Sequence, residues 1–91
     1  MAAGTVVVDV RTPAEFATGH LEGAVNIDIE ASDFAAKIAT LDKKAPYFVY
    51  CRSGNRSSQA VAQMKKTGFT SVTDGGAMTV AAQTAGRSIV K

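Results

Sequence analysis

The stretch from Tyr47 to Met64 admits one order of elements. Tyr47-Phe48-Val49-Tyr50 is an apolar run that ends at Cys51, the single cysteine of the chain. Arg52-Ser53-Gly54-Asn55-Arg56-Ser57 follows, and then Ala60, Val61 and Met64 recur at helical spacing. That order is strand, tight basic loop, helix. Such a loop points several backbone N–H groups into one concavity, and a helix N-terminus adds partial positive charge. Gly54 and Asn55 are residue types that tolerate left-handed backbone. Arg52 and Arg56 strengthen the field. Free cysteine is most often a small buried hydrophobe. Two arginines, two serines, a glycine and an asparagine do not suit the end of a core position. Cys51 is therefore read as a thiolate facing an anion-sized cradle, more easily ionised than a free thiol.

The 91 residues make one domain, residues 1–91, with Met1-Ala2-Ala3-Gly4 expected to be disordered or foreign to the mature fold. One cysteine excludes an internal disulfide framework and a Cys–Cys redox cycle, and argues against an all-protein zinc site. The net charge of +2 is mild, and Lys43-Lys44 and Lys65-Lys66 read as solvated surface. No long basic run or interleaved aromatics point to nucleic acid. No window is apolar for the length of a bilayer crossing. No metal and no cofactor are expected, and the working form is expected to be a monomer. The location is expected to be cytoplasmic, or periplasmic if an export signal has been removed.

Alternation of element types runs through the chain. Thr5 to Val10 is β-branched and apolar, a buried strand. Thr12, Pro13 and Glu15 form a helix start with a capping box, Phe16 is expected to give that helix its buried contact, and Gly19 stops it. Ala24 to Ile29 is a second strand. Ser32 or Asp33 caps a helix that presents Phe34, Ile38 and Leu41 on one face. Tyr47 to Tyr50 is the strand leading to Cys51. Gly68 ends the following helix, with Phe69 packing back on it. Ser71 to Thr73 is a short strand, Asp74-Gly75-Gly76 a turn, and Met78 to Thr84 a final helix. The alternation implies a small parallel sheet with helices on both faces. Ligands bind such sheets at the carboxyl ends of strands, where Cys51 lies.

Four segments together resemble the rhodanese family. Asp9-Val10-Arg11-Thr12-Pro13-Ala14-Glu15-Phe16 is similar to its D-V-R-x-x-x-E-F. Gly19-His20-Leu21-Glu22-Gly23-Ala24-Val25-Asn26-Ile27 is similar to its G-H-I-x-G-A-x-N-I. Tyr50 to Ser57 resembles its active-site loop, and Gly68-Phe69 with Gly75-Gly76 resembles its G-F…G-G ending. The likeness runs from Val6 to about Ile89. The short segment before Val6 and Val80 near the usual tryptophan position resemble the small bacterial phage-shock protein E type.

The resemblance implies a single-domain thiosulfate sulfurtransferase. Cys51 would take a sulfane sulfur from a small anionic donor and pass it to cyanide or a thiol, including a protein thiol. Amides from Arg52 to Ser57, through Ser53, Gly54, Asn55 and Arg56, would stabilise the persulfide. Arg52 and Arg56 would attract and orient the donor. Ser57 is read as the helix cap, Asp9 and Arg11 as a structural pair near the site, Glu15 as a capping partner and His20 as a structural hydrogen-bonding group. Two alternatives stand beside this. A phosphatase or arsenate reductase would share the fold, but its C-x5-R loop is one residue longer than the C-x4-R of Cys51 to Arg56. A non-catalytic or persulfide-carrying interaction module is the other.

Overall fold

The computed structural model describes residues 1 and 3–91; of the four expected to stand outside the fold, position 2 lies outside the described residues. Ten elements follow in order. They are β1 (Val6–Asp9), α1 (Pro13–Thr18), β2 (His20–Leu21), β3 (Val25–Asn26), α2 (Phe34–Ala39), β4 (Tyr47–Cys51), α3 (Asn55–Lys66), β5 (Val72–Ala77), α4 (Met78–Ala85) and β6 (Ile89–Val90). Four strands form a parallel sheet in the order β3-β1-β4-β5. β2 and β6 pair separately, antiparallel. The parallel α/β sheet expected from the alternation is the observed architecture.

Strand periodicity sorts the core into two layers. Val8, Val10, Tyr47, Val49 and Cys51 face one side, where Phe34 and Ile38 of α2 and Ala60, Val61 and Met64 of α3 cover them. Val7, Phe48 and Tyr50 face the other, against Ala81, Met78, Ala82 and Ala85 of α4 and Leu21 of β2. All five residues of β4 are buried, as a central parallel strand requires. Each fully buried large apolar side chain in these layers contributes roughly 1.5–3 kcal/mol.

Several expected elements change at their ends. The strand read over Ala24 to Ile29 is only Val25–Asn26. Phe16 is half-buried rather than core, stacked on His20 with ring centroids 3.7 Å apart. Asp33 stands at the N-cap of α2, but its side chain makes no capping bond. Asp74-Gly75-Gly76 is not a turn between elements; it lies inside β5. The turn chemistry is real but local. Asp74 Oδ1 accepts from the Gly76 N–H at 2.9 Å, and the register slips so that Val49 pairs with Asp74 and Tyr50 with Gly76. Gly75 is the extra residue of this bulge. A Cβ there would stand 2.6 Å from the Phe48 ring, so only glycine fits. Phe69 is buried behind α3, and its N–H donates to the Met64 carbonyl, as the helix end required.

The order β3-β1-β4-β5 has a switch point. From β1 the chain proceeds to β3 on one side, and from β4 to β5 on the other. The carboxyl ends of β1 and β4 therefore flank the crevice where such sheets bind ligands. No helix among the described residues is long and apolar enough to cross a membrane.

Candidate active site

Cys51 is the last residue of β4, and α3 begins four residues later. The turn between them is Arg52, Ser53 and Gly54. Gly54 is the N-cap of α3 at φ 98°, a left-handed backbone that β4 needs to enter the helix so abruptly. Its N–H donates to Cys51 Sγ at 2.9 Å. No side chain caps α3. In place of a cap, the sulfur takes the Gly54 N–H at this helix start. A bulge backs this turn, since a Cβ on Gly54 would lie 3.6 Å from Gly76 Cα.

Burial by itself pushes the Cys51 thiol up. Hydrogen bonds from the Ser57 hydroxyl and from the amides of Ser57, Gly54 and Ser53 outweigh it and hold the thiol below its ordinary value. The lowering foreseen from the loop is thus present, with amides and one hydroxyl as its leading causes. Ser57 differs from the helix cap expected of it. It is not the cap but the third residue of α3, fully buried, with its hydroxyl 3.1 Å from the Gly54 carbonyl. That hydroxyl has one proton and two acceptors, and an ionised sulfur is the stronger of them.

The two loop arginines differ. Arg52 is exposed and has no ion-pair partner among the described residues. Arg56 points back to α1, where Nη1 meets Glu15 Oε1 at 2.7 Å and Nη2 meets Oε2 at 2.9 Å. Hydrogen bonds from Arg56 hold the Glu15 carboxyl at about 2, and the carboxylate raises the Arg56 guanidinium in turn. Arg56 therefore stands as a tie between α3 and α1 rather than as a free anion receptor. The sequence offered Glu15 as a capping partner alone and gave no local sign of a partner 41 residues away.

Asp9 and Arg11 occupy the end of β1, both buried. Arg11 Nε and Nη2 grip Asp9 at 3.0 and 2.7 Å, and Arg11 also donates to the Gly19 carbonyl. Asn26 Nδ2 donates to the Asp9 and Arg11 carbonyls, tying β3 to the same point. The Tyr50 hydroxyl accepts from the Leu21 N–H at 3.0 Å. These bonds fasten the end of β1 to β3, and β4 to β2, at the sheet end that carries Cys51. His20 Nδ1 donates to the Phe16 carbonyl at 2.9 Å. A surface groove of about 270 Å³, lined by Thr5, Pro46, Tyr47 and Ser71 among others, opens at the amino ends of the strands, the opposite pole from Cys51.

Fold and site define a class: a small α/β domain with one cysteine at a strand end, set in an amide-lined loop at the switch point. The rhodanese-like domain family model matches residues 1–82, and the chain belongs to that family. It is 42% identical over 78 residues to thiosulfate sulfurtransferase GlpE of Pseudomonas entomophila, covering 82% of this chain and 69% of that protein. It is 43% identical over 76 residues to thiosulfate sulfurtransferase GlpE of Pseudomonas aeruginosa, covering 80% and 66%. The chain thus spans about two thirds of the length of these relatives. A rhodanese-like domain from Anabaena sp. superposes with a TM-score of 0.81 at 26% identity, covering 96% of this chain and 99% of that one. A rhodanese with anions from E. coli superposes with 0.79 at 30% identity, covering 96% and 98%.

Proposed function

We propose that this chain is a thiosulfate sulfurtransferase that works through a persulfide on Cys51. The observation that carries the reading is the Gly54 N–H at 2.9 Å from Sγ at a helix start that no side chain caps, beside a thiol held below its ordinary value. The relatives' activity and the family support it.

The Cys51 thiolate attacks the outer sulfur of thiosulfate. The S–S bond of the donor breaks, its electron pair leaves with sulfite, and the outer sulfur stays on Cys51. The persulfide keeps one negative charge, and the loop amides face it without having to move. No proton is needed, because sulfite leaves as an anion, which accords with a histidine engaged elsewhere. A thiolate or cyanide then attacks the terminal sulfur and restores the Cys51 thiolate. Arg52 attracts the anionic donor, and the amides of Ser53, Gly54 and Ser57 hold the charge. Asn55 and Arg56 open the helix whose dipole faces the sulfur. Asp9 and Arg11 set the strand ends and take no part in bond changes. All these groups come from one chain, so a monomer is sufficient for the reaction.

Intact mass after thiosulfate treatment and desalting tests the reading. One sulfur atom is gained, cyanide or a dithiol removes it, and Cys51→Ser neither gains it nor turns over. An unchanged mass for the wild type, under conditions that load another sulfurtransferase, overturns the proposal.

A further inference from the structure

We propose that Glu15 sets donor selectivity: by closing Arg56 into an ion pair, it lowers the positive potential at the Cys51 loop and holds back small dianionic donors. The substrate side of this rests on the sulfurtransferase reading; the electrostatic side does not.

Glu15 stands at the third position of α1. Its Oε1 accepts from the Thr12 N–H and hydroxyl, each at 3.1 Å, and from Arg56 Nη1 at 2.7 Å. Its Oε2 accepts from Arg56 Nη2 at 2.9 Å. The carboxylate is fixed from two sides and is not a mobile surface acid. A capping box is served equally by glutamate or glutamine, so capping does not call for the charge. The charge is matched to Arg56, whose guanidinium is engaged through both outer nitrogens. Glu30 adds a second negative influence on the same guanidinium. At the rim of the loop, Arg52 and Arg56 are thus set against Glu15 and Glu30. Arg52 alone of the two arginines has no ion pair among the described residues. Closing the second guanidinium weakens the pull on a dianion such as thiosulfate more than on a monoanionic donor such as the persulfide of a thiol, so thiosulfate is still used but its advantage over monoanions is reduced.

The test uses Glu15→Gln. The amide oxygen keeps the contacts to Thr12, while the amide nitrogen has no lone pair for Arg56 Nη2, so one side of the guanidinium is released. Iodoacetate and iodoacetamide are matched in size and differ by one charge. Their ratio of alkylation rates at Cys51 reports the potential at the sulfur without any sulfur transfer, and any opening needed to reach the buried thiol cancels. The ratio rises about threefold in E15Q, as expected for removing one nearby charge at the rim of a solvated site. The efficiency with thiosulfate, a dianion that expels sulfite, rises by a larger factor than that with the methanethiosulfonate anion, a monoanion that expels methanesulfinate. Arg52→Gln, at an exposed position, lowers the alkylation ratio by about threefold for the same reason. An E15Q ratio that is unchanged or lower overturns the proposal, as does an R52Q ratio equal to wild type. Failure of wild type to load from thiosulfate removes the sulfurtransferase reading instead, and the alkylation ratio still decides the role of Glu15.

Discussion

Two helices start at the carboxyl ends of neighbouring strands, and they start differently. After β1, Thr12 adopts extended backbone, its hydroxyl accepts from the Glu15 N–H at 3.3 Å, and Glu15 reaches back to the Thr12 N–H. The Thr12 N–H and the Glu15 N–H at this start are satisfied by side chains. After β4, Gly54 turns left-handed, no side chain caps α3, and the Gly54 N–H goes to the Cys51 sulfur. The orphan donors at a helix start must be paired with something. Where a neighbouring side chain takes them, the start is a joint. Where none does, an anion takes them, and here the protein's own thiolate fills the place of the cap. Glu15 and Arg56 then join the two starts.

The most severe way to break the comparison is to spoil the spacing of the uncapped start. A glycine inserted between Ser53 and Gly54 turns C-x4-R into C-x5-R and pulls the Gly54 and Ser57 donors away from the sulfur. Sulfur transfer from thiosulfate to cyanide should fall at least tenfold, about 1.4 kcal/mol. The wider ring is the one suited to a tetrahedral oxyanion, so phosphate or arsenate should inhibit the insertion variant more than the wild type. Steady-state kinetics with and without these anions decide it. Undiminished sulfur transfer would mean that the amides are not what stabilises the charge.

A smaller change keeps the spacing and strains the turn. Gly54→Ala has room, since its Cβ would meet only Gly76 and Ala77 at ordinary contact distances. It still has to hold φ near 98°, which costs a side-chain-bearing residue roughly 1–2 kcal/mol. Relaxing that strain rotates the Gly54 N–H off the sulfur. The loading rate should drop severalfold near neutral pH and recover as pH rises, because the thiol then ionises later. Cys51 is held below its ordinary value in the fold, so its ionisation stabilises the fold at high pH, and this is lost as pH falls through the folded value. G54A should lessen that dependence and move the alkylation midpoint upward. An unmoved midpoint would show that the Ser57 contacts suffice.

The difference between the two helix starts explains what could be read from the chain in advance. Thr12-Pro13-Ala14-Glu15 is a local signal, complete within four residues, and the capping box appears as written. Cys51 was legible for the same reason, because strand, basic loop and helix are contiguous. The cap of α3 was misplaced at Ser57 because its true occupant, Gly54, caps without a side chain. The bulge in β5 was missed because Asp74-Gly75-Gly76 carries turn chemistry, and only the parallel neighbour β4 makes it part of a strand. β2 and β6 are two residues each and exist only as partners of one another, with Leu21 opposite Ile89 and His20 opposite Val90, toward the two ends of the chain. The Arg56–Glu15 tie is likewise tertiary. Contacts closed within one turn of chain were readable, and those closed across the sheet were not.

The smallest expected effect is at the capped start. Thr12→Ala removes the hydroxyl that accepts from the Glu15 N–H and leaves the Thr12 backbone N–H, so Glu15 keeps one anchor and its pair with Arg56. Stability should fall by about 1 kcal/mol, the usual cost of losing a threonine cap. For a domain of this size that lowers Tm by roughly 4–8 °C. Sulfur transfer should stay within about twofold, because the sulfur and its donors belong to the other helix. Acid separates this variant from Glu15→Gln. The Glu15 carboxyl is held at about 2 against an ordinary 4.5, so its stabilisation is complete above 4.5 and is lost as pH falls toward 2. Thr12→Ala should retain that acid-dependent loss, since the ion pair survives, and Glu15→Gln should flatten it. Thermal melts of the three proteins between pH 2 and 5 measure both. If Thr12→Ala lost sulfur transfer as strongly as the loop insertion, the two helix starts would be one functional unit, and the division into joint and site would not hold.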